Sequence, residues 1–360
     1  MTKRAAIILS GGKAERFQNR HQTWLDKALV KLHGKPLLIH DVENVIKVVE
    51  EVIICVNNEK RKRQYNEILK KHNAKNIKLL VDQQHNCLGG PIAGILTGLI
   101  ASNADYCFTL PSDMPFFKPE VIEHMFELAE NARVVVPMWP NGQPETLTMV
   151  VRKPEALEIV KIFCLLRRPR SDDIIRGALN AFLISTDDVI RTFDPELRSF
   201  TNINSQADLA KLEPRQVQGS ITKSIRLNLG DLPITTLQHL QAAATLFNEG
   251  RFKAASEAFS LCATQLENES CYFWAAISRE NEGKSLLNFS NLDRKLGITK
   301  DQKKKGKEAL LKASNLYEAE AKIYDSVDAI FFAKRARSNK NWCKSMANYN
   351  KDQISRSNHR

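Results

Sequence analysis

The sequence predicts an α/β protein with a doubly wound, mostly parallel sheet, followed by a separate all-α domain. Three observations carry this expectation. In the first part of the chain, short apolar runs rich in β-branched residues alternate with helix-length stretches. Strands that are apolar throughout and separated by helices belong in a parallel sheet covered on both faces. From Thr235 onward the apolar residues recur at helical spacing instead. The charge divides at much the same place: residues 1–220 carry 30 basic and 26 acidic side chains, net +4, and residues 221–360 carry 23 and 15, net +8.

Taken in order, strands are expected at 5–9, 52–56, 77–81, 106–110 and 134–137, with helices at 36–49, 61–71, 91–101 and 118–131. A further strand is expected at 145–153, helices at 155–163 and 172–180, and a late strand at 182–185. Ser205, with Asp208 three residues on, is a capped start for a helix running to about Leu212. Residues 213–230 show no clear period and read as a linker. Beyond it, Leu240, Ala243, Ala244 and Phe247 form one apolar stripe, and Ala254, Ala255, Ala258, Phe259 and Cys262 another, with a turn at 248–251 between them. Helices continue over 272–287 and 304–334, with Lys303-Lys304-Lys305 in a break. The expected division is a first domain at 1–215, a linker at 216–232, a helical domain at 233–345 and a frayed tail at 346–360.

Composition narrows the class. With 360 residues, 43 % hydrophobic and 26 % charged, the chain is globular rather than disordered. It has no run of eighteen apolar residues, and the apolar stretch at 5–9 is too short for a signal-peptide core. The seven cysteines are scattered, form no Cys-x-x-Cys pair, and several lie inside apolar runs. Reduced thiols in a cytoplasmic protein are expected, not a disulfide framework or a zinc site.

Three motifs carry chemistry. Leu9-Ser10-Gly11-Gly12-Lys13-Ala14-Glu15-Arg16 follows the first strand directly. Glycines let the backbone turn tightly and bring its N–H groups to phosphate oxygens, although a plain strand-to-helix turn also carries glycine. The segment fits neither the dinucleotide glycine fingerprint nor the P-loop, which disfavours a dehydrogenase and a P-loop NTPase. Pro111-Ser112-Asp113-Met114-Pro115 ends the fourth strand. A carboxylate there lies where open α/β sheets bind ligands and can hold Mg²⁺ against nucleotide phosphates, or it can simply close a turn. Gly89-Gly90-Pro91-Ile92-Ala93-Gly94 opens a helix and can form a close backbone wall for a base or sugar.

In this order and at these separations the motifs resemble the nucleotidyltransferases of the molybdenum cofactor guanylyltransferase type. The same family pattern includes Asp26-Lys27 before Gly34-Lys35-Pro36-Leu37, Asn57 after the second strand, Asp82 after the third, and Phe200-Thr201-Asn202-Ile203-Asn204. The resemblance covers about residues 4–212, and implies a Rossmann-like nucleotidyltransferase fold for that part. It implies Mg²⁺-dependent transfer of GMP from GTP to the phosphate of molybdopterin, with release of pyrophosphate. Leu9, Ser10, Gly11 and Gly12 would line the nucleotide. Arg16 and Lys27 would bind the triphosphate and the departing pyrophosphate. Asn57 and Asp82 would hold the guanosine, Asp113 would bind Mg²⁺ and touch the nucleotide, and Asn202 and Asn204 would lie on the metal or acceptor side. A phosphate acceptor is already ionised at neutral pH, so no strong base is required, and no His falls within the matched motifs. Alternatives are NMP transfer from CTP, UTP or GTP to a sugar or cobinamide phosphate, and a degenerate transferase domain kept as a binding scaffold. The Leu-Ser-Gly-Gly opening leans to guanylyl transfer.

The remaining charged features have plainer readings. Lys60-Arg61-Lys62-Arg63 reads as a solvated helix face, or less readily as a grip on a phosphate-rich acceptor, and Arg167-Arg168-Pro169-Arg170 as either surface or a lid gripping an acidic substrate. The 9-residue stretch 17–25 is a longer gap between Arg16 and Lys27 than the family pattern has. The segment around 244–259 resembles one tetratricopeptide-type hairpin. For the helical part as a whole the plainer reading is a bundle that only packs; the lysines at 300, 303–305, 307 and 312 suit an acidic protein partner. Nucleic acid is disfavoured because aromatic residues are not interleaved with the basic ones.

Overall fold

The computed structural model describes residues 2–12, 26–74, 76–82, 89–292 and 299–348. The chain divides into two compact units, Met1–Leu232 and Pro233–Arg360.

The first unit is built on strands β1 (Arg4–Ser10), β2 (Lys31–Leu32), β3 (Lys35–Pro36), β4 (Glu51–Val56), β5 (Ile77–Val81), β6 (Tyr106–Pro111), β7 (Val134–Met138), β8 (Met149–Arg152), β9 (Asn180–Ser185) and β10 (Ile225–Asn228). Its helices are α1 (Leu37–Val45), α2 (Glu59–Lys71), α3 (Pro91–Ala101), α4 (Pro119–Ala129), α5 (Lys153–Leu165), α6 (Asp172–Gly177), α7 (Arg191–Phe193) and α8 (Gln206–Lys211). Strands β2 and β3 form a small hairpin, and the other eight form one sheet in the order β10-β9-β7-β8-β6-β1-β4-β5. Strand β1 is central, parallel to both β4 and β6. Two strands run against the rest: β8, wedged between β6 and β7, and β10 at the edge.

Both faces of β1 are used, as its continuous apolar sequence requires. Ala6 and Ile8 pack into one core with Leu38, Val42 and Tyr65 from α1 and α2. Ile7 points to the opposite face, where α3 crosses so closely that only glycine fits at position 98. A Cβ there would lie 2.4 Å from Ile7 Cγ2 and 2.8 Å from Cγ1 and Cδ1. Overpacking a closed interface costs about 1–3 kcal/mol. Gly98→Val is therefore expected to destabilise the unit by about 2–3 kcal/mol, read as a lower urea midpoint with an unchanged slope.

Residues 216–232, expected as a linker, are partly sheet. Strand β10 pairs antiparallel with β9, in the register Ile225↔Leu183 to Asn228↔Asn180. Its alternation of buried and exposed residues is only four residues long, too short to stand out as a period. Just before it, Ile221 N donates to Pro140 O at 2.8 Å. A Cβ on Gly219 would lie 2.1 Å from the same oxygen, so this stretch lies flush against the loop between β7 and β8.

The second unit comprises α9 (Ile234–Asn248), α10 (Phe252–Asn268), α11 (Tyr272–Leu292), α12 (Thr299–Ser326) and α13 (Ile330–Asn348), each packed on the next. Lysines 303–305, expected in a break, lie inside α12. The chain turns at 327–329 instead, where Asp328 has a positive φ. The start of the expected frayed tail is also helical: α13 runs to Asn348 and buries Cys343 and Ala347. Helix α11 is buried on most sides and carries its own charges. Arg279 donates to Glu267 at 2.6 Å and Glu282 at 2.8 Å, and Tyr317 donates to Glu280 at 2.7 Å.

Cys55, Cys107, Cys262, Cys271 and Cys343 are free and buried. Burial pushes the thiols of Cys107 and Cys262 up to about 11, which keeps them unreactive. Cys164 is the correction to the expectation of reduced thiols throughout, because it is disulfide-bonded. Spacing along the chain carries no signal of that contact.

Candidate functional site

In an open α/β sheet the crevice for ligands lies beyond the carboxyl ends of the strands, where the strand order reverses. Here the reversal falls between β1 and β6: from β1 the chain winds outward to β4 and β5, then crosses back to β6. A cavity of about 480 Å³ opens at that point. Leu9, Ser10, Gly11 and Gly12 from the end of β1, Lys27, Asp82, Asp113 and Asn204 all line it. Gly90 and Pro91, at the start of α3, and Gly94, on its first turns, form another part of the wall.

Three side chains, Lys27, Asp113 and Asn204, converge at one end. Lys27 Nζ forms an ion pair with Asp113 Oδ2 and donates to Asn204 Oδ1 at 2.6 Å. The two segments are tied by Ile203 N, which donates to Asp113 O at 3.0 Å. Ser205 caps α8, and Asp208 reaches back to accept from Asn204 N at 2.8 Å. Behind them lies Asp41 of α1, fully buried, with neither carboxylate oxygen hydrogen-bonded. Burial holds its carboxyl well above the usual range. The Asp113 charge adds to this, and Lys27 opposes it.

The residues present fit a divalent cation of the Mg²⁺ type. Asp113 Oδ1 is buried without a hydrogen-bond partner, and Asp113 Oδ2 and Asn204 Oδ1 already share one cation, the Lys27 ammonium. These are hard oxygen donors. No cluster of three or more His, Cys, Asp or Glu side chains able to hold a metal occurs among the described residues. One carboxylate and one amide oxygen suit a Mg²⁺ site completed by water and substrate phosphate, which takes one or two protein carboxylates.

Beneath the glycine loop sits Arg61, 3 % exposed, and this corrects the reading of 60–63 as a solvated face. Its Nε donates to Asp26 Oδ2 at 2.6 Å, Nη1 to Ser10 O at 2.9 Å and Asn57 Oδ1 at 3.1 Å, and Nη2 to Gly12 O at 3.1 Å. Asp26 also accepts from Tyr65 Oη at 3.1 Å and from Ala28 N at 3.2 Å. The signal that could have found Arg61 is its phase: Arg61, Tyr65 and Leu69 are the buried residues of α2, four apart. The neighbouring Lys60, Lys62 and Arg63 are not buried.

Asn57 stands behind the loop and donates from Nδ2 to Gly11 O at 3.1 Å. Asp82 faces the cavity across Gly11 and Gly94, its Oδ1 buried without a partner. Burial pushes its carboxyl up to about 6, against the pull of the Arg61 charge. Among the predicted site residues, Leu9, Ser10, Gly11, Gly12, Lys27, Asp82, Asp113 and Asn204 meet in one cavity. Asn57 supports its wall, Asn202 does not line it, and Arg16 and the 13–25 segment lie outside the described residues. The arginines at 168 and 170, considered as a lid, are paired internally: Arg168 with Asp173 at 2.8 Å and Arg170 with Asp172 at 3.1 Å.

A glycine loop at the switch point of a mostly parallel sheet, facing a lysine and an oxygen set suited to Mg²⁺, defines a nucleotidyltransferase. A family model, the MobA-like NTP transferase domain, matches residues 6–168. The chain is 32 % identical over 209 residues to the probable molybdenum cofactor guanylyltransferase of Methanosarcina mazei, covering 58 % of this chain and 89 % of that protein. The Methanosarcina acetivorans protein of the same name is 32 % identical over 210 residues, with the same coverage. Among solved structures, molybdopterin-guanine dinucleotide biosynthesis protein A from Archaeoglobus fulgidus is 26 % identical with a TM-score of 0.47, covering 58 % of this chain and 96 % of that one. The chain belongs to the MobA-like NTP transferase family. A nucleotide substrate and a phosphate-bearing acceptor follow from that membership. No helix among the described residues is long and apolar enough to cross a membrane.

Proposed function

We propose that this protein transfers GMP from GTP to the phosphate of molybdopterin and releases pyrophosphate, with Mg²⁺ as its metal. The observation that carries the reading is the meeting of Lys27, Asp113 and Asn204 at one end of the cavity, beside Ser10, Gly11 and Gly12. The names of the Methanosarcina relatives support GTP and the molybdenum cofactor.

In this reaction an oxygen of the acceptor phosphate attacks the α-phosphorus of GTP. A new P–O–P linkage forms, the α–β bridge breaks, and its electron pair leaves on pyrophosphate. The backbone of Gly11 and Gly12 holds the phosphates. Lys27 neutralises charge developing on the leaving group, and Arg16 is assigned to the same phosphates. Asp113 and Asn204 would hold Mg²⁺, which when bound would supply Lewis-acid stabilisation of the phosphoryl oxygens. The acceptor needs no deprotonation, and among the described residues no His lines the cavity. Stabilisation of charge and positioning supply the rate.

Asn57 and Asp82 hold the guanosine. Asp82 accepts from two donors of a guanine edge at once only when ionised, and burial pushes its carboxyl up to about 6. Guanosine itself has no group titrating there. Its affinity is expected to rise between about pH 5 and 7, with a midpoint near 6, and to lose that dependence in Asp82→Asn. Calorimetric titration at several pH values reads this, and a flat wild-type profile would remove Asp82 from the base.

The reaction is tested by melting the protein with each NTP and Mg²⁺, then assaying pyrophosphate release with a phosphate acceptor. A shift with GTP alone supports guanylyl transfer. A shift with CTP or UTP moves the reading to a different phosphate acceptor, and no shift with any NTP ends the transferase reading.

A further inference from the structure

We infer that Arg61 is the positioning residue of the phosphate-binding loop, acting by pulling the loop's carbonyl groups to its own side. This rests on the assignment of Gly11 and Gly12 to nucleotide phosphates. Arg61 is buried and is not among the described residues that line the cavity, so the role inferred is positioning rather than contact.

The geometry is specific. One guanidinium fork takes Ser10 O at 2.9 Å and Gly12 O at 3.1 Å, while Asn57 Nδ2 takes the carbonyl between them, Gly11 O, at 3.1 Å. Three successive carbonyls are thereby held by two side chains that are bonded to each other, Arg61 Nη1 donating to Asn57 Oδ1 at 3.1 Å. None of these peptide bonds is cis. In a trans peptide the C=O of one residue and the N–H of the next point in opposite directions. Holding Ser10 O and Gly11 O therefore turns the N–H groups of Gly11 and Gly12 away from Arg61 and Asn57. Without a Cβ at 11 and 12, the loop alone has little to hold that orientation. The fork supplies it.

Charge is arranged to suit. The Asp26 carboxylate, 2.6 Å from Arg61 Nε, balances the guanidinium, and the Tyr65 hydroxyl and Ala28 N–H bind the same carboxylate. Ser10 Oγ is fixed by Tyr65 Oη at 2.5 Å and by Ser112 Oγ at 2.8 Å, which ties the loop to the segment bearing Asp113. Arg61 is therefore a buried, neutralised cross-brace joining β1, α2 and the Asp26-Lys27 segment. Lysine keeps the charge but offers no planar fork.

The deciding variant is Arg61→Lys, with Arg61→Met as the second. Dissociation constants for GTP with Mg²⁺ and for guanosine are measured by calorimetry, alongside thermal melting. Arg61→Lys is expected to weaken GTP about tenfold or more while guanosine changes less than about threefold, and Arg61→Met to weaken GTP further. Unchanged GTP affinity in Arg61→Lys overturns the inference, because the fork then carries nothing beyond charge. Equal losses of GTP and guanosine, or variants that no longer melt cooperatively, overturn it also, because the role is then structural only. If the wild-type protein binds no NTP, it is the transferase reading that fails, and this inference falls with it.

Discussion

Asp113→Ala is expected to lower the rate of pyrophosphate release by about 10³-fold or more, because several kcal/mol of charge stabilisation at a metal-bound phosphoryl group would go with it. Asp113 supplies a buried oxygen with no hydrogen-bond partner and a second one paired with Lys27. Among the described residues no other group in the cavity wall duplicates that pair: Asp82 lies toward Gly11 and Gly94, and Asp26 is committed to Arg61. A factor of 10³ corresponds to about 4 kcal/mol of barrier. Single-turnover rates with saturating nucleotide separate this loss from one of binding. Activity within tenfold of wild type would remove Asp113 from the metal.

The second large effect is expected at Lys27. Lys27→Met should lower the same rate by about 10²–10³-fold, since under the proposed function it removes the cation assigned to the leaving pyrophosphate. It should also change the protein before any nucleotide arrives. The ammonium occupies the point where Asp113 Oδ2 and Asn204 Oδ1 meet. Mn²⁺ affinity of the nucleotide-free protein is expected to rise about tenfold in Lys27→Met, because the carboxylate no longer has a resident counter-ion. Electron paramagnetic resonance of free Mn²⁺ measures this directly. An unchanged Mn²⁺ affinity would mean that the lysine and the metal do not compete for those oxygens.

The parts of the site that were legible in the sequence are local and contiguous. The glycine loop and the Pro-x-Asp-x-Pro turn each sit at a strand end, so alternation of strands and helices was enough to put Gly11, Gly12 and Asp113 at one edge of a sheet. Asn204 and Asp82 were legible only through the resemblance, since each approaches the cavity from a distant segment. Arg61 was hidden by its neighbours, because a run of four basic residues reads as solvent-facing although one of them shares a helix face with Tyr65 and Leu69. Asp41 was hidden for a related reason: an acid in an otherwise amphipathic helix reads as surface, yet it points inward with Leu38 and Val42. Short or long-range features were beyond reach for a different cause. Strand β10 is too brief to show a period, and the disulfide at Cys164 depends on a meeting in space.

The backward run of β8 has a consequence for how such a protein can change. The stretch 139–148 leaves β7 and enters β8 at the same rim of the sheet, so it is a hairpin-type excursion and not a crossover. Its last residue but one, Leu147, borders the cavity. Trp139 donates to Glu145 at 2.5 Å and Arg215 donates to Glu145 at 2.7 Å, so the excursion is clipped from within and from the later chain. Residues can be inserted or exchanged there without altering any strand register or the span of any helix. The glycine loop, by contrast, is tied to α2 and to the Asp113 segment through Arg61, Tyr65 and Ser112. Under the proposed function, change is easier in this excursion than at the nucleotide end.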